Sequence, residues 1–268
     1  MLSVYLQGGL GNQLFQLFTC IALSIRYKKL CIFPYSEFVN YGRKTYWNNF
    51  LKEIKPLTNT RLPQLRRYNE SYFHYRAIPN KDNIMLFGYF QSYKYFKNEY
   101  EKIIKIIKLR EKQDEVFKKY NQYFQNDVIS LHFRLGDYLT NAAHPVLNLE
   151  YYKKALQHII NKTGKNNYDV LYFCQKSDNY MVLTKIKILK ILYPDLNFIK
   201  ATDDSEDYEQ MLMMSCCKHH IIANSSFSWW GAYFNKNDKI VCYPSLWFSG
   251  SIAHHNTKDL CPSDWIRI

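Results

Sequence analysis

The chain has 268 residues, 47% hydrophobic and 17% aromatic, enough material for one large or two ordinary domains, and a composition that excludes a disordered polymer. Its formal charge of +13 admits nucleic acid, an anionic membrane surface or a phosphorylated substrate as partner. Much of that charge is lysine spread along helical segments, as at Lys102, Lys105, Lys185, Lys187 and Lys190, and no basic stripe interleaved with aromatics marks a nucleic-acid surface.

Residues 2–6 read as a strand that runs into Gln7-Gly8-Gly9-Leu10-Gly11-Asn12-Gln13, after which Leu14, Phe15, Leu17, Phe18, Ile21 and Ile25 keep helical spacing. A strand, glycine loop and helix in this order favour an anion, because backbone N–H groups and the positive end of the helix point into the loop. The spacing is neither the dinucleotide fingerprint, whose third glycine would fall on Leu14, nor a P-loop, which needs Gly-Lys-Ser/Thr. The glycines also suit a plain tight turn. The start has no basic region of the kind a signal peptide carries, and Leu14–Ile25 is too short and too interrupted to cross a bilayer.

Leu30–Phe33 reads as a second strand, and residues 35–83 as a long, partly irregular insertion rich in Tyr, Asn, Arg and Pro, which serves either as an acceptor-facing surface or as plain packing. Ile84–Phe90 reads as a strand followed by a helix reaching Tyr120, with a domain junction in residues 121–127. The next stretch, Val128 to Tyr138, is the most informative. With period two, Ile129, Leu131 and Phe133 share one strand face and Ser130, His132 and Arg134 the other, while Gly136-Asp137 suits a turn just past the strand's carboxyl end. His132 and Arg134 then stand where open α/β sheets bind ligands, and a guanidinium fork matches phosphate oxygens. The same spacing also suits a surface ion pair between Arg134 and Asp137.

Beyond it come a helix at Leu149–Lys162, a strand at Asp169–Cys174, an amphipathic helix at Asn179–Tyr193 and a strand at Asn197–Lys200. Asp203, Asp204 and Ser205 read as start signals for a helix at Asp207–Cys217. The run from His219 to Asn224 reads as a buried strand, with Ser225 or Ser226 capping a helix that carries Trp229 and Trp230. A short strand at Lys239–Tyr243 and a tail through Trp265 close the chain. Strands alternating with helices on both sides of residue 125 predict an α/β protein of two Rossmann-like domains, 1–125 and 126–268. The seven cysteines lie mostly in apolar runs with no Cys-x-x-Cys, so neither a zinc ribbon nor a disulfide framework is expected, and a reducing compartment is.

Four motifs stand in a telling order: Gly8-Gly9-Leu10-Gly11-Asn12-Gln13-Leu14-Phe15-Gln16, Gly88-Tyr89-Phe90-Gln91-Ser92, His132-Phe133-Arg134-Leu135-Gly136-Asp137-Tyr138, and Asn224-Ser225-Ser226-Phe227-Ser228-Trp229-Trp230-Gly231. Together they resemble glycosyltransferase family 11, the α-1,2-fucosyltransferases, over nearly the whole chain. The resemblance implies a GT-B-like fold, two Rossmann-like domains facing across a cleft, with the first acceptor-side and the second binding the GDP-sugar. It implies transfer of L-fucose from GDP-β-L-fucose, with inversion, to the 2-hydroxyl of a terminal galactose in a glycan acceptor, and no metal or other cofactor.

By the same resemblance Arg134 holds the β-phosphate, His132 contacts the donor, and Asn224, Ser225, Ser226 and Phe227 wrap the pyrophosphate and ribose. Gly9, Gly11 and Asn12 face the sugar, Asn12 also positioning the acceptor. Asp137 is the candidate general base, or else it orients Arg134 or His132. Two departures are visible. The family's second arginine in the central motif is Leu135 here, and its Phe-Ser-Asp-Asp turn is Phe173-Cys174-Gln175-Lys176. Another GDP-sugar or linkage, or a carbohydrate-binding protein without turnover, are the competing readings. The expected location is cytoplasmic, soluble or in peripheral contact with an anionic membrane.

Overall fold

A computed structural model describes residues 1–268. They form two compact units, one of Met1–Lys112 with His255–Pro262, the other of Gln113–His254 with Ser263–Ile268.

The first unit opens with β1 (Leu2–Val4) and α1 (Leu10–Tyr27). The helix begins four residues earlier than its apolar spacing implies, so Gly11 and Asn12 lie in its first turn rather than in a loop, and Gly9 is its N-cap. Short pieces come next: β2 (Phe33–Pro34), the antiparallel pair β3 (Phe38–Val39) and β4 (Arg43–Lys44), and β5 (Thr58–Asn59), which pairs with β2. Residues 35–83 are therefore not structureless. They also hold β6 (Arg66–Asn69), the third strand of a parallel sheet ordered β1, β7 (Ile84–Phe87), β6. The single helix expected up to Tyr120 is broken into α2 (Tyr100–Ile106) and α3 (Leu109–Lys119), because Lys108 adopts a left-handed conformation with φ +50°. The first unit thus ends inside α3 at Lys112, upstream of residue 125, and a short segment from near the carboxyl terminus rejoins it. Asp259 anchors that segment: its carbonyl accepts from Ser92 Oγ at 2.6 Å and its carboxylate pairs with Lys94 Nζ at 2.5 Å.

The second unit alternates strand and helix: β8 (Val128–His132), α4 (Leu149–Thr163), β9 (Asp169–Phe173), α5 (Asn179–Leu192), β10 (Asn197–Lys200), α6 (Asp207–Cys216), β11 (His219–Ile221), α7 (Ser226–Phe234), β12 (Val241–Tyr243) and β13 (Ile266–Arg267). All six strands are parallel, in the order β10-β9-β8-β11-β12-β13. Counted from β8 this is 3-2-1-4-5-6, the doubly wound order of nucleotide-binding sheets, whose direction of winding reverses between β8 and β11.

Local chemistry accounts for these helices. Asn148 caps α4 by accepting from Tyr151 N, and Gly164 ends it in the left-handed conformation. Val182, Ile186 and Leu189 give α5 its buried stripe. The start of α6 differs from expectation. Its cap is Glu206, boxed with Glu209, whereas Asp203 bonds Lys200 Nζ at 2.8 Å and Asn179 Nδ2 at 2.7 Å, where it ties β10 to α5.

Candidate active site

In the second unit the site grows from the carboxyl ends of β8 and β11, the neighbouring strands at the switch point. Parallel sheets bind ligands outside these ends, where helices on the two sides diverge. From β8 come His132, Arg134 and Asp137; from β11 come Asn224, Ser225, Ser226 and Phe227, so the structure brings these seven predicted residues together. Their cohesion is visible in specific bonds. Tyr138 OH donates to the Asn224 carbonyl at 3.0 Å, and the His132 and Phe227 ring centroids lie 5.8 Å apart. Tyr152 OH donates to the His132 carbonyl at 3.3 Å, fixing the end of β8 against α4.

Arg134 Nη2 meets Asp137 Oδ1 at 2.7 Å, so the ion pair that its spacing allowed is present. The guanidinium also lies 5.3 Å from the centroid of the Tyr138 ring, which stacks on His144 at 4.6 Å. The turn that carries Arg134 is tight. Gly136 sits at φ +35°, its N–H donates to Asp178 Oδ2 at 2.9 Å, and a Cβ there would lie 2.0 Å from Gln175 Oε1. Asp178 and Gln175 come after β9, and no pattern in the sequence ties them to Gly136; the nearest signal is the departure from the family's turn at Cys174-Gln175-Lys176.

Four buried polar atoms at this place have no hydrogen-bond partner in the protein: His132 Nδ1, Arg134 Nε, His144 Nδ1 and Asn224 Oδ1. Buried polar atoms are nearly always satisfied, so several left over at the end of one strand pair call for an explanation, and a bound ligand supplies one. Burial, helped by the Arg134 charge, lowers the His132 pKa to about 3, so the imidazole is neutral and one of its nitrogens is an acceptor. Burial lifts Tyr138 to about 12, which keeps its hydroxyl protonated for Asn224. At α7 the Ser225 hydroxyl accepts from Phe227 N at 3.3 Å, the predicted cap. The arrangement offers a guanidinium, a neutral imidazole and a helix N-terminus to an anion.

In the first unit the glycine motif is built for position. Gly8 has φ +78°, and Asn12 Nδ2 occupies the space its Cβ would need, 2.4 Å away. Asn12 Oδ1 accepts from Gln91 Nε2 at 2.8 Å, which joins the glycine motif to the loop after β7. A Cβ on Gly9 would meet no protein atom within 4 Å, and Gly11 is buried. Sequence reasoning missed the two glutamines of the same motif. Gln13 Nε2 donates to the Gly8 and Lys44 carbonyls at 2.9 and 3.0 Å, while Gln16 receives Gln7 N at 3.0 Å and donates to the Gly88 carbonyl at 3.2 Å. It also missed Glu70, whose carboxylate Oε2 receives Tyr89 N at 2.7 Å and Phe90 N at 3.1 Å. No group of three or more His, Cys, Asp and Glu side chains is arranged to hold a metal ion, and all seven cysteines are free. No helix is long and apolar enough to cross a membrane.

Comparison with known proteins gives this site a class: the protein is a glycosyltransferase. The sequence profile of glycosyl transferase family 11 matches residues 1–268, and the chain belongs to that family. It is 30% identical to an α-1,2-colitosyltransferase of Escherichia coli, over 98% of this chain and 97% of that protein. It is also 30% identical to the O-antigen biosynthesis glycosyltransferase WbnK of Escherichia coli, over 77% of this chain and 67% of that one. Likeness to solved structures is slight. ADP-heptose LPS heptosyltransferase II of E. coli aligns with a TM-score of 0.38 and 11% identity, over 59% of this chain and 42% of that chain. A glycosyl transferase family 9 protein of Veillonella parvula aligns at 0.36 and 15%, over 60% and 39%.

Proposed function

We propose that this glycosyltransferase moves L-fucose from GDP-β-L-fucose to the 2-hydroxyl of a terminal galactose, with inversion and without a metal ion. The observation that carries the donor half is the group of four unpartnered polar atoms around Arg134 at the switch point of a sheet in nucleotide-binding order. In transfer, the bond from the anomeric carbon to the β-phosphate oxygen breaks and its electron pair leaves with GDP, while the galactose oxygen attacks from the opposite face and gives up its proton late, to solvent water. Charge develops on the departing GDP, and a preorganised cation is worth most there. Arg134 supplies it, the neutral His132 ring donates its one N–H, and the N-terminus of α7 adds partial positive charge.

Asp137 is half exposed and already bonded to Arg134, which fits the orienting role better than that of general base. Gly9, which faces open space, serves the sugar side with Asn12, whereas Gly11 is buried in the first turn of α1 and does not face the sugar. The α-1,2 linkage is supported by the activity named for the relative that matches across nearly both full lengths. That relative also favours a second reading, in which the donor sugar is colitose on the same nucleotide. The deciding experiment offers GDP-fucose and GDP-colitose in parallel with a panel of galactosides, followed by linkage analysis of the product. A 2-linked fucosyl-galactose is expected, and transfer of colitose alone would move the assignment to the second reading.

A further inference from the structure

The first unit holds a cavity of about 490 Å³ that the donor reading leaves unused. Its walls come from the carboxyl ends of all three parallel strands: Tyr5 and Gln7 beyond β1, Asn69 and Glu70 at and beyond β6, Phe87 at the end of β7, with Arg67 alongside. This is where a parallel sheet presents a ligand site, and the volume suits a small sugar. The walls are mixed in a particular way. Tyr5 and Phe87 stack at 4.9 Å with 9° between ring planes, and the Arg67 guanidinium carbon lies 4.0 Å from the Phe87 centroid. Gln7 and Asn69 add amide groups. A second cavity of about 380 Å³, lined in part by Tyr72, Arg76 and Tyr95, shares Glu70 with the first.

Glu70 is fixed there at some cost to the backbone. The Tyr89 and Phe90 amides both bind it, and Phe90 holds a left-handed φ of +51° that glycine would adopt more readily. Gly88 must lack a side chain, since a Cβ would fall 2.3 Å from Glu70 Cβ. Burial also lifts the carboxyl to about 7, a perturbation typical of groups that meet substrate. The Glu70 carboxylate between the two cavities accepts hydrogen bonds from sugar hydroxyls, Arg67 and Arg76 in the walls donate to hydroxyl oxygens, and aromatic side chains suit the C–H side of a pyranose.

We propose that these two cavities seat the acceptor glycan and that Glu70, between them, accepts hydrogen bonds from its hydroxyl groups. The inference rests on the reading of this protein as a galactoside-modifying enzyme, and it names the residues that hold that substrate.

Ligand-detected NMR with a galactose-terminated disaccharide tests it without any donor, alongside calorimetry with GDP on the same full-length protein. The wild type should bind the disaccharide. Glu70→Gln should weaken that binding at least tenfold, and Arg67→Ala severalfold, with GDP affinity within twofold of wild type in both. Arg67 is exposed and its replacement leaves the carboxylate in place, so it reports on the site if Glu70→Gln folds poorly. Disaccharide affinity unchanged in both variants, or no binding by the wild type, would overturn the inference. Loss of GDP binding by the wild type, with disaccharide binding intact and sensitive to Glu70, would sink the donor assignment and leave this one standing.

Discussion

Replacing Glu70 by glutamine isolates what burying its carboxyl costs the fold. Burial raises this group from an ordinary 4.5 to about 7, against the opposing pull of the Phe90 and Tyr89 amides. A carboxyl with a higher pKa folded than unfolded binds more protons in the folded state between those two values. Stability therefore falls as pH climbs from 4.5 to about 7 and is level outside that window. At about 1.36 kcal/mol for each tenfold change in proton affinity, the fall reaches ~3 kcal/mol by pH 8. The glutamine keeps the two main-chain bonds, because one oxygen, Oε2, already receives both Tyr89 N and Phe90 N.

Urea unfolding at about pH 4 and at pH 8 reads the difference directly: matched stabilities at the lower pH, and a variant more stable by up to ~3 kcal/mol at the higher. His132, His219 and His220 have lowered pKa values, so they destabilise the fold as pH drops below 6.5, but they do so in both proteins and cancel. Equal stability of variant and wild type at pH 8 would refute the claim that this carboxyl is held against its preference. Together with weaker galactoside binding, a gain in stability would make Glu70 a site whose function opposes the stability of its fold.

In the second unit, Arg134→Ala should lower kcat/KM about a hundredfold or more, ~2.7 kcal/mol of transition-state stabilisation, and near-normal turnover would remove Arg134 from the mechanism. Initial rates with GDP-fucose should be unchanged by excess EDTA, and activity restored only by Mg²⁺ or Mn²⁺ would overturn the metal-independent reading. Along α5, Tyr180, Met181, Leu183, Ile188, Ile191 and Leu192 are exposed beside Lys185, Lys187 and Lys190 with no acidic residue in the helix, a face suited to an anionic bilayer. Ile188→Ser with Ile191→Ser should cut co-flotation with anionic vesicles severalfold and leave transfer to a free galactoside intact; equal flotation with neutral vesicles would argue against lipid charge as the attractant.

The second unit was largely legible in the sequence because its elements carry local punctuation. Asn148 and Gly164 bracket α4, Ser225 caps α7, and β8 and β9 are fully buried five-residue strands rich in Val, Ile, Leu and aromatics. The parts that stayed hidden lacked such marks. The strand β6 reads Arg-Arg-Tyr-Asn, and its side chains are mostly exposed, so no apolar alternation betrays it; β7 pairs with it along one edge and supplies the buried residues. The break between α2 and α3 falls on a lysine, which forms helices readily and gives no stop signal. With β6 unseen, Glu70 could be placed no more finely than within the insertion 35–83, and Gly88, expected inside a strand that in fact ends at Phe87, gave no sign of what it packs against. Gln13 and Gln16 stand within a motif, yet their roles depend on the carbonyls of Lys44 and Gly88, which only the fold brings near.

One rule of sheet geometry thus operates twice in the chain with opposite chemical outcomes. On the two assignments proposed above, parallel strands in each unit end at a ligand, and the residues just past each strand select it. After β8 comes Phe133-Arg134 and after β11 comes Asn224-Ser225-Ser226, so the second unit ends in a cation, a neutral imidazole and a capped helix, groups that satisfy a diphosphate. After β6 comes Glu70 and after β7 comes Gly88, so the first unit ends in a carboxylate wedged against a glycine and flanked by aromatic rings. A polyol can donate hydrogen bonds to that carboxylate, which a diphosphate cannot do. Exchanging the charges, with Arg134→Glu in one unit or Glu70→Arg in the other, should therefore abolish GDP binding in the first case and galactoside binding in the second, each without touching the other ligand.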